Sequence, residues 1–263
     1  MPFLTDDGRP LDELVLAQRP ADGYRFHVRA PFTYEDPVTG RRYRVPARPP
    51  GAPDPRPDER EPRVHGITDL ASVPMWLWSF IASYGRQSAP AVLHDHRSVL
   101  AAALGDRRAA LAQRRDDDRV FRTALREQGV PLLRRWVMWA WVAADREREF
   151  GGLAGLLLIA QVVLGSLLVV GASVAAFWQP WSLVAVPIVV LAALPWRLRA
   201  RELAPLVLVL TGSIAVLGPL LVLHLVALVP FRLIEAIVEL VSGGDPAGVL
   251  RPTLQAPTDQ RAD

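Results

Sequence analysis

Three stretches carry side chains able to do chemistry. AVLHDH at 91–96 sets His94, Asp95 and His96 in an apolar run. DDDRVF at 116–121 puts Asp118 one helical turn before Phe121. TDLASVP at 68–74 brings Thr68, Asp69 and Ser72 up to Pro74. Acids and histidines among apolar neighbours are costly to bury unless paired. On a helix, Asp95 shares a face with Val92 and Val99, while His94 lies about 100° round, over Ala91 and Ser98. His94 and His96 are roughly 200° apart on the same helix, so they cannot hold one metal and HDH is not by itself a metal motif. A helix bearing His94 beside an antiparallel helix bearing an inward Asp118 has chemical meaning. The carboxylate fixes the imidazole tautomer and stabilises its protonated form, leaving the other nitrogen to take a proton from water. His94 is then the catalytic base and Asp118 its orienter, with Asp95 and Asp69 as ligands for a divalent cation such as calcium that polarises a substrate oxygen. The competing and favoured reading is structural: such groups cap helices and satisfy backbone amides, as Asp69 could for Ala71 and Ser72.

The elements that must position these residues form an α+β module. Residues 24–28 alternate apolar and polar positions, as do Tyr43 and Val45 after the turn PVTG at 37–40, which predicts a β-hairpin. Residues 1–23 form an N-terminal extension. Residues 46–62 hold seven prolines and read as an inserted linker or exposed loop. A short strand at 63–67 leads into TDLASVP, where Thr68, Ser72 and Pro74 form a structural motif and Pro74 opens a short helix. About four helices follow. The second has Ser88 as N-cap, covers about 90–104 and has Val92, Val99, Leu100 and Ala103 as its apolar face. The third is capped by Asp116 or Asp117 and buries Val120, Phe121, Ala124 and Leu125. Gly129 and Pro131 separate it from a Trp-rich helix at 132–148.

Beyond Phe150 the chain changes character. Residues 1–150 hold 24 of the 30 basic and 21 of the 27 acidic residues, and every basic residue is arginine. Residues 153–177 contain no charge and are long enough to span a bilayer of about 30 Å. Residues 181–196 and 203–231 supply two further spans, the second kinked at its prolines and glycines. The membrane region is thus all-α, about three transmembrane helices over 150–231. Residues 232–263 are expected to form a separate amphipathic helix and a disordered tail. Arginines before the first span and at 197, 199 and 201 put residues 1–150 on the cytoplasmic side. The absence of cysteine fits a reducing compartment, and the acidic N-terminus does not read as a secretory signal. His224, alone among the ionisable groups of the spans, reads as a neutral imidazole bonded to a neighbouring helix rather than a proton relay.

The blocks from TDLASVP onward resemble a phage-associated family, domain of unknown function 1353. The likeness is carried by Gly66, the run Thr68–Pro74, Leu77 and Trp78, the run Ala91–Asp95, Asp118 with Phe121, and Gly129–Pro131. It covers roughly residues 24–145 and excludes the membrane half. The family's Leu-Tyr after His-Asp is replaced here by Arg97-Ser98, and the proline-rich insertion lengthens the approach to TDLASVP. The resemblance implies an α+β module near phage or mobile-element proteins and no established activity. A looser similarity links His94, Asp95 and Asp118 to secreted phospholipases A2, whose calcium loop, disulfides and tyrosine are missing here.

Two functions follow as expectations. One is a membrane-anchored binding or scaffold module in a bacterial plasma membrane, its partners the lipid bilayer and an unidentified protein. The other is a membrane-face hydrolase that uses the His/Asp site, with or without a cation. Nucleic acid is disfavoured as a partner. The nine arginines of 107–135 are interleaved with Asp106, Asp116–Asp118 and Glu127, the pattern of a solvated, salt-bridged face.

Overall fold

The computed structural model describes residues 2–18, 25–52, 66–70, 81–82 and 84–250, which divide into two compact units. The first unit (residues 1–103, 123–129 and 221–263) holds the strands β1 (Phe3–Thr5), β2 (Leu16–Gln18), β3 (Phe26–Val28), β4 (Phe32–Glu35), β5 (Arg42–Val45) and β6 (Ile67–Thr68), with helix α1 (Ser88–Ala102). The strands form two antiparallel sheets, ordered β1-β4-β5 and β2-β3-β6.

The hairpin is present, but its first arm is β4 rather than residues 24–28. Asp36 decides this. Its buried carboxylate accepts the Val38 amide at 3.1 Å and the Thr39 hydroxyl at 2.7 Å. A side chain that closes its own turn makes the flanking strands neighbours. Phe32 faces Val45 and Tyr34 faces Tyr43, and all four side chains point into the core. β3 pairs instead with β2 and β6. Residues 1–23 contribute β1 and β2 to the two sheets. Phe3 is buried with its ring 4.8 Å from Tyr34 and 5.9 Å from Phe32. The proline-rich loop begins tied down: the Arg48 amide donates to Val28 O at 2.8 Å and its side chain is buried. The rest of that insertion, from residue 53, and the expected helix after Pro74 lie outside the described residues.

The second unit (residues 104–122 and 130–220) contains most of α2 (Arg107–Glu127), α3 (Leu132–Phe150), α4 (Gly152–Ala175), α5 (Ala185–Ala193) and the first half of α6 (Leu203–Ser242). α2 starts nine residues before the expected cap. Its carboxylate cap is Asp106, which accepts the amides of Arg108 at 3.1 Å and Ala109 at 3.2 Å, and Asp116–Asp118 sit mid-helix. The reason is propensity: Arg, Ala, Leu and Gln at 107–115 are strong helix formers, and the hydrophilicity of that run masked them. Trp139, Ala140, Ala143, Leu158, Val162, Ala193, Leu203, Leu206, Val207 and Leu210 form the core of this unit. Gly155 lets α4 approach α3 closely, since a Cβ there would lie 1.9 Å from Glu147 O.

Among the described residues, three segments are long and apolar enough to cross a membrane: α4, Pro180–Leu198 and α6, with mean hydropathies of 2.6, 1.8 and 2.5. The middle one solves a length problem. α5 alone has nine residues, but 3-10 turns at Pro180–Val184 and Leu194–Leu198 flank it. A 3-10 turn rises about 2.0 Å per residue against about 1.5 Å in an α-helix, so the segment reaches about 33 Å. Gln161 ties two of these segments together: it donates to Ala192 O at 2.8 Å and accepts the Trp196 indole N–H at 2.7 Å. α6 runs unbroken for 40 residues, so residues 232–242 are the end of the third span's helix rather than a separate one. In an apolar medium the backbone keeps its internal hydrogen bonds until it reaches a polar boundary, and Pro219 and Pro230 are absorbed within it. Part of the expected tail is ordered, as a 3-10 turn at Pro246–Leu250.

Phe3→Ala is expected to destabilise the first unit by about 3–5 kcal/mol, as a large-to-small core change does. Val38→Ala, at an exposed turn, should shift stability by under about 0.5 kcal/mol. Denaturant unfolding of the detergent-solubilised protein reads both; equal effects would show that β1 is peripheral.

Candidate functional site

The sequence-predicted residues separate between the two units. Thr68, Asp69, His94 and Asp95 belong to the first; Asp118 belongs to the second.

In the first unit β6 is placed by β3, and the chain reaches it through Gly66 at φ +78°. A Cβ on Gly66 would meet Arg48 N at 2.9 Å, so both the left-handed backbone and the close approach demand glycine. Thr68 is buried, and its hydroxyl does two things. It accepts the Leu70 amide at 2.8 Å and donates to Asp95 Oδ2 at 2.5 Å. The first bond holds Leu70 at φ +64°, the only described non-glycine residue with positive φ. The second ties the β6 turn to α1. Asp69, between Thr68 and Leu70, is half-buried. Ser72 and Pro74 lie outside the described residues.

α1 buries a different row from the expected one. Ala91, His94, Ser98 and Ala101 are buried and recur every three or four residues, with Val92 and Leu93 alongside. Val99 and Leu100 are half-buried and Ala103 is exposed. Small side chains along one row let the helix lie close to β5 and β6, and the bulkier Val99 and Leu100 are turned aside. Ser88 starts the helix without capping it; Gln87 holds the cap position, and Ser88 Oγ accepts the Gly85 amide at 2.9 Å. His94 and His96 are both buried, 7% and 9% exposed, on different sides of the helix. Ser98 Oγ donates to His94 O at 2.9 Å. Arg97, at the place where the resemblance has leucine (Ser98 takes the place of the tyrosine), stacks its guanidinium 4.7 Å from the Tyr43 ring centre. Sequence reasoning missed His27 and Arg48, both buried in this unit; their isolation in polar or proline-rich surroundings gave no periodic signal. Among the described residues, no group of three or more His, Asp or Glu is arranged to hold a metal ion.

Asp118 projects inward as its spacing from Phe121 requires. It is fully buried, and Arg146 Nη1 donates to it at 2.6 Å. Arg146 is fully buried too. Its Nε donates to Glu147 at 3.1 Å, and its Nη2 lies 3.0 Å from Glu202. Arg115 reaches the same two glutamates at 3.5 and 3.4 Å. Arg122 stacks over Trp136 at 4.4 Å and Trp139 at 4.8 Å, and its burial there lowers its pKa, the loss of hydration outweighing the attraction of Glu202. Arg114 is the poorly satisfied member. Its side chain is 2% exposed, its nearest carboxylate is Asp145 at 3.8 Å, and its Nε and Nη1 make no hydrogen bond among the described residues. Apart from the spacing of Asp118 to Phe121, the sequence signal for this network was the set of charges adjoining the spans, which orientation already explained.

Residues 64–142 match the family described as Protein of unknown function (DUF1353). The match contains Thr68, Asp69, His94, Asp95 and Asp118, so the resemblance read from the sequence holds over the core of its range; it ends before Arg146, Glu147 and the membrane helices. No curated protein and no solved structure matches the chain.

Removing Asp118 leaves a buried guanidinium short of a partner, so Asp118→Ala should cost about 3–5 kcal/mol. Asp116→Ala breaks only the partly exposed pair with Arg119 and should cost under about 1 kcal/mol. Arg114→Met should be neutral or stabilising, because it removes a buried charge with unmet donors. Thermal unfolding of the three variants in one detergent gives the ranking; an Arg114→Met loss as large as that of Asp118→Ala would contradict this account.

Proposed function

We propose that the chain is a membrane-anchored binding or scaffold module, with residues 1–150 on the cytoplasmic side of a bacterial plasma membrane in a phage-related setting. Three apolar helices supply the anchor. Arginines at 146, 148, 197, 199 and 201 flank the spans on the proposed inner side, while the connection between the first two spans, WQPW, has no charge. The all-arginine, alanine- and leucine-rich composition supports a bacterial origin. One observation carries the choice of binding over catalysis. The two carboxylates on which chemistry would depend are engaged in ties that hold the fold: Asp118 with Arg146, and Asp95 with Thr68. The partner is then a protein recognised by the module at the membrane face.

A second reading has its own support. Leu70 is held in a left-handed conformation beside Asp69, one residue from the Thr68–Asp95 bond. Backbone strain of about 1–3 kcal/mol collects at functional sites. In this reading His94 is the base that takes a proton from water attacking an ester, with Asp95 and Asp69 around a calcium ion.

The protein reconstituted in phosphatidylglycerol vesicles, assayed with p-nitrophenyl butyrate and with the vesicle lipid, separates the two. The scaffold reading expects no hydrolysis above a His94→Ala control, with or without calcium, and full cellular effect of a His94→Ala protein that folds normally. Calcium-dependent hydrolysis lost in His94→Ala would overturn it. For orientation, a membrane-impermeant maleimide applied to intact cells should label Gly244→Cys and spare Val38→Cys; the reverse would invert the topology.

A further inference from the structure

α6 carries a pattern that its own chain covers only in part. Leu203, Val207, Leu210, Ile214, Leu217, Leu221, His224, Leu228 and Phe231 follow one another at alternating intervals of four and three residues. That is an unbroken heptad seam, the repeat by which helices wind round each other with left-handed crossing. Its first part is filled within the chain. Leu203, Val207 and Leu210 are buried in the core with Trp139, Leu158 and Val162, and Ile214 packs against that core. Past Ile214 the seam continues in the same register while the cover falls away. Leu217, Leu221 and Leu228 are half-buried, and His224 and Phe231 are exposed. Gly218, beside the seam, has nothing within 4 Å of where its Cβ would be.

His224 makes this face more than an unmatched apolar surface. It has no hydrogen bond or ion pair among the described residues, so the expected bond to a neighbouring helix is not seen there. Yet it sits seven residues inside the apolar run that ends at Phe231. A polar ring facing lipid is costly, and ionisable groups in spans turn toward another helix or a water-filled cavity. In heptad seams a single polar residue of this kind fixes register and the number of strands.

We infer that a second copy of this chain covers the seam, packed parallel along the second half of α6, with His224 hydrogen-bonded to the second copy's His224. Copies inserted in one membrane share their orientation, so the helices are parallel and equal residues meet at equal depth. A neutral imidazole carries one donor and one acceptor, so two of them related by a two-fold axis complete one N–H···N bond. Gly152–Ala175 contains no ionisable residue and Pro180–Leu198 contains only Arg197, at its end, so the sequence of the other two spans offers no ionisable partner within their apolar runs. The inference rests on α6 being a membrane span and is independent of whether the module binds or hydrolyses.

The chain has no cysteine, so single cysteines can be placed freely. Full-length Leu221→Cys and Leu228→Cys, on the seam either side of His224, are compared in native membranes with Leu223→Cys and Val226→Cys, off the seam, under copper-phenanthroline oxidation. Dimers at 221 and 228 and their absence at 223 and 226 are the expected result. In nanodiscs of defined lipid, the cysteine-free protein should have the mass of two chains. His224→Leu should weaken the dimer roughly 3- to 20-fold, the effect of one hydrogen bond between helices in a membrane, and His224→Asn should restore it. A monomeric mass, equal cross-linking at all four positions, cross-linking confined to 223 and 226, or a His224→Leu protein that dimerises as tightly as the parent would each overturn the inference. The last outcome would leave His224 facing lipid or a different protein.

Discussion

A guanidinium without water organises the second unit. Arg146 is fully buried, and moving such a group out of water costs several kcal/mol even after relaxation. Three carboxylates meet that cost: Asp118 on α2, Glu147 on α3 and Glu202 ahead of α6. Any arrangement that parts these segments strands a charge in a dry environment. Arg115 repeats the constraint by reaching Glu147 and Glu202 from α2. The apolar packing of Trp139, Leu158 and Leu206 drives the helices together, but apolar contacts tolerate sliding; the charge cluster does not. It sets which turn of α2 lies against which turn of α3. The helix from the matched family region is thereby tied to two segments beyond it, one at the end of α3 and one at the foot of α6.

The first unit uses the same logic at lower energy. The Thr68 hydroxyl joins a strand turn to α1 by accepting one bond and donating another. It is the kind of local side-chain bond that stabilises a turn, extended over 27 residues of sequence to Asp95. Gly66 and Arg48 fix the approach to that turn, and the Arg97–Tyr43 stack adds a second link between α1 and the β1-β4-β5 sheet. These ties engage residue types usually associated with reactivity, Thr68 and Asp95 among them, in holding the turn against α1.

The bilayer imposes the third constraint, on length. α4 meets it with 24 helical residues, and the middle segment does so only by opening its ends into 3-10 turns. α6, at 40 residues, exceeds it: about 60 Å of helix against about 30 Å of hydrocarbon. The excess arises because the helix runs on through Pro219 and Pro230 and ends only at Ser242. At the far end the Gly244 amide turns back to Glu239 O at 2.8 Å and closes the helix.

Composition and periodicity determined the division into a charged α+β part and three apolar helices, because each depends on the properties of consecutive residues. The burial of Asp118 was legible in the same way, from one turn's spacing to Phe121. The long-range choices were not legible. That β3 leaves the hairpin to pair with β2 and β6, that α1 buries His94 and Ser98 rather than Val99 and Leu100, and that Asp118 meets Arg146 all depend on which surfaces come together. Periodicity says that a residue faces inward; it does not say what it will face. An alternating strand fits either of two sheets equally well, and an inward carboxylate will take whichever cation packing delivers. The heptads of α6 stood in the sequence throughout, but only the tertiary structure showed that the chain fills half of them, because cover is a property of neighbours and not of spacing.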